Sequence, residues 1–187
     1  MSEPVTVVGG IVIPSTSLLF LSGVAVHVAA GMVCVASGAV AMLSRKGRGR
    51  HSTFGTVYYA GLAVVCGTAA ILSAVRWNED GVLFVLAVIS FASASLGRAA
   101  IRGRWMPTAK LHVVGMGVSY IVLLTAFYVD NGKNLPVWNR LPTITYWLVP
   151  GAIGLPILAL ALLCHPLARR GRTVRDEAPA RPPARPH

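Results

Sequence analysis

The segment from Phe54 to Val75, FGTVYYAGLAVVCGTAAILSAV, carries no charged side chain over its 22 residues. A helix needs about 20 consecutive apolar residues to cross the hydrocarbon core of a bilayer, so this segment is long enough to span a membrane. Four further stretches are similarly apolar: Thr16–Leu43, Val82–Ala100, Thr108–Val129 and Thr143–Leu163. The sequence therefore predicts an all-α fold, a polytopic membrane bundle of five transmembrane helices.

Basic residues collect in every second gap between these stretches. Of the 17 Lys and Arg residues, 14 follow the first span, surround the gap after the third, or follow the fifth. The remaining three, Arg76, Lys133 and Arg140, lie in the other gaps. Because basic loops stay on the cytoplasmic side of a membrane, we expect the N-terminus outside and the C-terminus inside.

The composition favours lipid as the surrounding solvent. Hydrophobic residues make up 55% of the chain and charged residues only 12%, too few charges to cover a water-facing surface. The formal net charge of +11 is divided among the loops beside the membrane, and no nucleic-acid recognition motif accompanies it. The expected partners are the lipid bilayer and anionic phospholipid headgroups, not nucleic acid.

The pattern predicts one transmembrane domain over residues 1–167 and a basic tail over residues 168–187. The tail is rich in Arg, Pro and Ala and has too few apolar residues to bury a core, so we expect a disordered cytoplasmic segment. The N-terminus lacks the basic region of a signal peptide, so the first span is expected to stay as an anchor. The cysteines occur singly, which predicts packing residues and neither disulfides nor a zinc site. They are Cys34, Cys66 and Cys164.

Ionisable residues inside a span are costly and therefore point to function. All six acidic residues lie in loops, at span ends or in the tail, which disfavours a proton-coupled transporter. No hydrolase triad, phosphate-binding loop or metalloprotease motif is present. Histidine is the remaining candidate for chemistry.

Two histidines are expected to meet at the inner ends of their spans. His51 opens the second span, and His112 lies about 6 Å above the start of the fourth, which also begins inside. His27 lies roughly 24 Å above the inner end of the first span and should be out of their reach. Paired imidazoles at one level on facing helices can hold the iron of a b-type haem. His51 and His112 are therefore candidate haem ligands, and His27 has no assigned role.

Small and basic residues accompany this pair. Gly55 follows His51 by four and Gly115 follows His112 by three, so each glycine shares its histidine's face and could leave room for a flat macrocycle. Arg50 and Arg98 belong to the same inner face and could pair with haem propionates or with phospholipid. Close helix packing is the alternative interpretation of the glycines.

Tyr58 follows His51 by seven and should share its face. It is expected to pack in the core or to donate a hydrogen bond to a bound group. For the two histidines themselves, headgroup contact or a hydrogen bond to a carbonyl is the alternative to metal ligation.

The run from Arg45 to Tyr58, RKGRGRHSTFGTVY, together with His27, resembles a bacterial family of multi-pass membrane proteins of unknown function. In that family a first-span histidine is followed by Lys-Gly, then His, Gly and Tyr, and a later span carries another histidine, here His112. The resemblance covers roughly residues 20–130. It implies a protein of the bacterial plasma membrane and brings no assigned reaction.

The chain is also similar, more weakly, to the transmembrane di-haem cytochrome b family, which moves electrons from ascorbate-like donors. That family places histidines at the inner starts of two helices, the positions of His51 and His112. It uses two further histidines for a second haem. His27 matches one of them, and the third span offers no partner, so one haem fits the pattern.

Two functions follow as expectations. The first is single b-type haem binding near the cytoplasmic face, serving electron transfer or redox sensing with an unidentified redox partner. The second is a non-catalytic membrane subunit or scaffold without a cofactor. The sequence does not decide whether the protein is an enzyme.

Overall fold

The computed structural model describes residues 6–8, 11–13, 18–102 and 109–163. Five helices follow one another: α1 (Leu18–Leu43), α2 (Arg50–Val75), α3 (Trp77–Arg102), α4 (Ala109–Asn131) and α5 (Ile144–Leu163). Each is long and apolar enough to cross a membrane, which confirms the predicted five-helix membrane fold. A short antiparallel pair of strands, β1 (Thr6–Val8) and β2 (Ile11–Ile13), precedes them and was not predicted. The predicted tail over residues 168–187 and Cys164 lie outside the described residues.

Two helices begin earlier than the apolar stretches within them. α2 starts at Arg50 and α3 at Trp77, so each has a polar first turn. In α3 that turn contains Glu79 and Asp80, whose negative charge favours a helix N-terminus. Glu79 also forms an ion pair with Arg76. The polar first turns explain why hydropathy alone placed these starts four and five residues too late.

Consecutive helices run antiparallel, as short connections require. Contacts between α1 and α2 pair His27 with Thr68 and Cys34 with Tyr58, so the residue number falls along α1 as it rises along α2. The ends of α1, α3 and α5 and the starts of α2 and α4 therefore share one end of the bundle. We call this the basic end, because Arg45, Arg48 and Arg50 lie there.

Glycine allows α3 and α4 to pack backbone to backbone. A Cβ atom added at Gly115 would lie 2.6 Å from the carbonyl oxygen of Ser93 and 2.7 Å from the Cα atom of Gly97. Such close approach is the usual means of helix association in lipid, where burial of apolar surface gives no net driving force. Gly115 therefore packs against α3.

The buried core is small and lies among the first four helices. It consists of Cys34, Tyr58, Leu62, Val65, Ala94 and Leu123. Many large apolar side chains point outward instead, including Leu148, Ile153 and Leu155 of α5. An apolar exterior around a small, partly polar core is the arrangement expected of a helix bundle in lipid.

The fifth helix packs on α4 at the edge of the bundle. Its sequence contains Pro150 and Pro156, and the helix continues through both. The ring of Tyr146 covers Gly132, and its hydroxyl donates to the carbonyl of Trp138 at 3.1 Å. Trp138 stacks on Tyr128 with ring centroids 4.3 Å apart. The connection between α4 and α5 is therefore an ordered aromatic cap at the end opposite the basic end.

Substitution of Gly115 by Ala should lower the thermal stability of the purified protein. The added methyl group would meet backbone atoms of α3, which cannot rotate away, and overpacking of this kind costs about 1–3 kcal/mol. Gly67→Ala is the matched control, because a Cβ atom there meets no described atom within 4 Å. Thermal unfolding in detergent, followed by circular dichroism, measures both. Equal midpoints for the two variants would contradict the close packing of α3 and α4.

Candidate functional site: the histidine pair at the basic end

A buried hydrogen bond links α2 to α4 across the bundle. The hydroxyl of Tyr58 lies 2.8 Å from Oγ of Ser119. Ser119 donates its own proton to the carbonyl of Met116 at 2.9 Å, so Tyr58 is the donor to Ser119. Tyr58 is 2% exposed and Ser119 is fully buried. Because water does not reach these groups, the bond defines how α2 and α4 align along the bundle axis.

Ser119 also links α4 to α3 at the level of this hydrogen bond. Oγ of Ser90 donates to the carbonyl oxygen of Ser119 at 2.9 Å. The neighbouring residue of α4, Tyr120, donates its hydroxyl to the carbonyl of Val35 in α1 at 3.0 Å. Four helices therefore meet at one level through polar contacts, and their relative heights follow from these contacts.

The Tyr58–Ser119 bond fixes where the histidines lie. His51 precedes Tyr58 by seven residues, and His112 precedes Ser119 by seven. Seven residues are about two helical turns, so both histidines lie roughly 10 Å from the bond, on the same faces as Tyr58 and Ser119. Equal offsets on parallel helices bring the two side chains to one level at the basic end.

The structure places the two imidazole rings next to each other. Their centroids are 6.2 Å apart and the ring planes are nearly perpendicular, at 83°. Both residues are half-buried. The pair therefore lies at the basic end of the core that the first four helices form.

Each ring is held by a backbone carbonyl of the preceding helix. Nδ1 of His51 lies 2.8 Å from the carbonyl oxygen of Ala41 in α1, and Nδ1 of His112 lies 2.9 Å from that of Gly97 in α3. A carbonyl only accepts, so the proton of each neutral ring is on Nδ1. Each Nε2 atom then carries a lone pair, the form in which histidine binds metals.

Gly55 and Gly115, which were predicted to leave room beside the histidines, have different surroundings in the structure. A Cβ atom at Gly55 would meet no described atom within 4 Å, so space exists on the His51 side. The space at Gly115 is filled by Gly97 and Ser93 of α3. The packing interpretation therefore holds for Gly115, and Gly55 alone leaves a gap.

The two arginines predicted to pair with haem propionates or phospholipid are Arg50, next to His51, and Arg98, next to the Gly97 that accepts from His112. Arg50 immediately precedes His51 at the exposed start of α2. Arg98 follows Gly97, and its guanidinium lies over the ring of Tyr59, 4.6 Å from the centroid. Arg98 is therefore oriented by a cation–π contact, while Arg50 is free to contact the membrane surface.

His27 belongs to a different part of the bundle. Its Nδ1 atom lies 2.9 Å from Oγ1 of Thr68, which in turn donates to the carbonyl of Val64 at 2.8 Å. His27 therefore donates to Thr68 and links α1 to α2 between the core and the end opposite the histidine pair. The structure does not bring it near His51 or His112.

Sequence reasoning missed the residues that position the pair. Tyr58 was expected to pack in the core or to donate to a bound group. It packs in the core, and its hydroxyl donates to Ser119, which was not foreseen. The signal was present: Ser119 follows His112 by the same seven residues that separate Tyr58 from His51. The carbonyls of Ala41 and Gly97 carry no signal in the sequence, because every residue has one.

No group of three or more His, Cys, Asp or Glu side chains suited to a metal ion occurs within residues 18–102 and 109–163. The histidine pair thus offers two donors in this part of the chain. Comparison of the chain with protein-family models, curated proteins and solved structures gives no match.

Proposed function

We propose that this membrane protein binds one b-type haem between His51 and His112 and serves electron transfer or redox sensing. The observation that carries the proposal is the adjacent pair of imidazole rings, each with Nδ1 hydrogen-bonded to a backbone carbonyl. This hydrogen bond fixes the tautomer and ring orientation that a metal-ligating histidine needs.

The number of donors favours haem over a free metal ion. Zinc and similar ions take four or more ligands from protein and water. Haem iron needs only one or two ligands from protein side chains, and His51 and His112 would provide them. Two histidines without a third donor among the described residues fit this requirement.

The spacing of the rings is compatible with ligation of one iron. The two ring centroids are 6.2 Å apart, so both side chains could hold one bound group. A Cβ atom at Gly55 would meet nothing within 4 Å, so no neighbouring side chain fills the space beside that position of α2.

In this proposal the haem supplies one-electron redox chemistry, and the protein orients and shields it. Ala41 and Gly97 hold the histidine rings, and the Tyr58–Ser119 bond keeps α2 and α4 at equal height. Arg98, which follows Gly97 in the chain, would pair with a carboxylate of the cofactor. A half-buried position at one end of the bundle suits exchange of electrons with a partner at the membrane surface.

The competing function is a scaffold or membrane subunit without a cofactor. The same hydrogen bonds favour it, since His51 already fastens the start of α2 to the end of α1, and His112 fastens α4 to α3. In that case the histidines would serve stability alone.

Purified wild-type protein from haem-replete cells should show a reduced Soret band and α-band after addition of dithionite. His51→Gln and His112→Gln should each abolish or shift these bands, because each removes one axial ligand. His27→Gln is the matched control and should retain the spectrum, because His27 contacts Thr68 instead. A colourless wild-type protein would eliminate haem binding and favour the scaffold.

We also propose that the basic end faces the cytoplasm of a bacterial cell, with this chain in the plasma membrane. The excess of Lys and Arg at that end supports this orientation. The acidic residues that the structure describes lie towards the other end: Glu79, Asp80 and Asp130.

Cysteine labelling in intact cells tests the orientation. In a chain whose native cysteines are replaced by Ala, Lys133→Cys should react with a membrane-impermeant maleimide, because it lies in the connection beyond α4. Lys46→Cys should react only after the cells are permeabilised. The reverse pattern would place the basic end outside the cell.

A further inference from the structure

The connection between α1 and α2 borders a half-open cavity that the histidine pair does not line. Its volume is about 530 Å³. The residues that line it are Val40, Leu43, Ser44, Arg45, Arg48 and Arg50. Three of these six are arginines, so the cavity concentrates positive charge at one end of the bundle.

This positive charge has no described carboxylate to balance it. The ion pair found in the described part of the chain joins Arg76 to Glu79 near the opposite end. Arg45, Arg48 and Arg50 are all exposed. A cluster of guanidinium groups without carboxylate partners is suited to bind a phosphate, which guanidinium contacts through paired hydrogen bonds.

The conformation of the connection explains why three arginines border one cavity. Gly47 and Gly49 have φ angles of 128° and 108°, which L-amino acids with side chains rarely adopt. The chain therefore turns sharply on both sides of Arg48. Lys46 is excluded from the cavity, because its Nζ atom donates to the carbonyl of Met42 at 2.9 Å.

Of the three remaining lining residues, Ser44 follows α1 and its hydroxyl donates to the carbonyl of Val40. Val40 and Leu43 belong to α1 and form an apolar wall, and Leu43 is 89% exposed. In the membrane such an exposed leucine contacts acyl chains. A ligand that filled the cavity would therefore meet arginines at one side and hydrocarbon at the other, as an amphiphile does.

We infer that this cavity is a binding site for one anionic phospholipid, with the phosphate held by Arg45, Arg48 and Arg50 and an acyl chain along Val40 and Leu43. The occupant is a phosphate-bearing lipid and not a free phosphate, because the apolar wall continues into the lipid-facing surface of α1. This inference does not rest on haem binding.

Native mass spectrometry of the purified full-length chain can count the bound lipids. Delipidated protein in detergent should bind one dioleoyl-phosphatidylglycerol more tightly than any further copy. The triple variant R45Q/R48Q/R50Q should bind it roughly a hundredfold more weakly, since each basic residue near an anionic lipid contributes about fivefold in affinity. Glycerol phosphate, which lacks acyl chains, should not displace the lipid.

The matched control is K46Q/R102Q/K110Q, which removes three positive charges from the same end but from residues that do not line the cavity. It should change the affinity by less than about threefold. Equal weakening in both triple variants would show diffuse attraction to the basic end and overturn the site, and so would no weakening in either. Circular dichroism of both variants verifies that they are folded.

A further titration tests whether the lipid and the haem compete for the same arginines. The same titration is made with haem-free protein and with protein loaded with haem. Equal binding of phosphatidylglycerol in the two preparations is expected. Loss of lipid binding on haem loading would assign the arginines to the carboxylates of the cofactor and overturn the lipid site.

Discussion

The hydrogen bond from Tyr58 to Ser119 is the contact on which the arrangement of this bundle depends. In lipid, helices gain little from hiding apolar surface, so specific contacts decide how far one helix slides along another. Interhelical hydrogen bonds in membranes contribute only about 0.6 kcal/mol on average and up to about 1.7 kcal/mol. This bond is reinforced by Ser90 and Tyr120, which tie α3 and α1 to the same level of α4. Together these contacts define one polar layer within an otherwise apolar core.

The histidine pair is a geometric consequence of that layer. His51 and His112 are two turns from the bonded residues on their own helices, so alignment at Tyr58 and Ser119 is also alignment of the imidazoles. The helices that precede them supply the carbonyls that hold the rings. The pair is thus supported by all of the first four helices, whereas α5 packs outside this group on α4. A change of register between α2 and α4 would separate the rings, because the hydrogen bonds of the histidines join α2 to α1 and α4 to α3, not α2 to α4.

Much of the fold follows from the sequence, because span length and charge distribution are physical requirements of a bilayer. Hydropathy found all five helices, and its largest errors in their bounds were at the polar first turns of α2 and α3. The equal depth of His51 and His112 could be predicted from the rise of a helix. What could not be predicted was the partner of each residue: Gly115 looked available for a cofactor, and the structure packs it against Gly97. Such choices depend on helix rotation and order around the bundle, which an apolar sequence without clear amphipathic faces does not encode.

The most direct test of the central claim is crosslinking between positions 51 and 112 in native membranes. In a chain whose native cysteines are replaced by Ala, H51C/H112C should be joined within one molecule by a short bifunctional thiol reagent, since the two rings lie 6.2 Å apart. H27C/H112C is the control and should remain unjoined, because His27 contacts Thr68 in another part of the bundle. Efficient crosslinking of the first pair alone is the expected result. Failure of that pair, or equal crosslinking of both pairs, would contradict the alignment of α2 with α4.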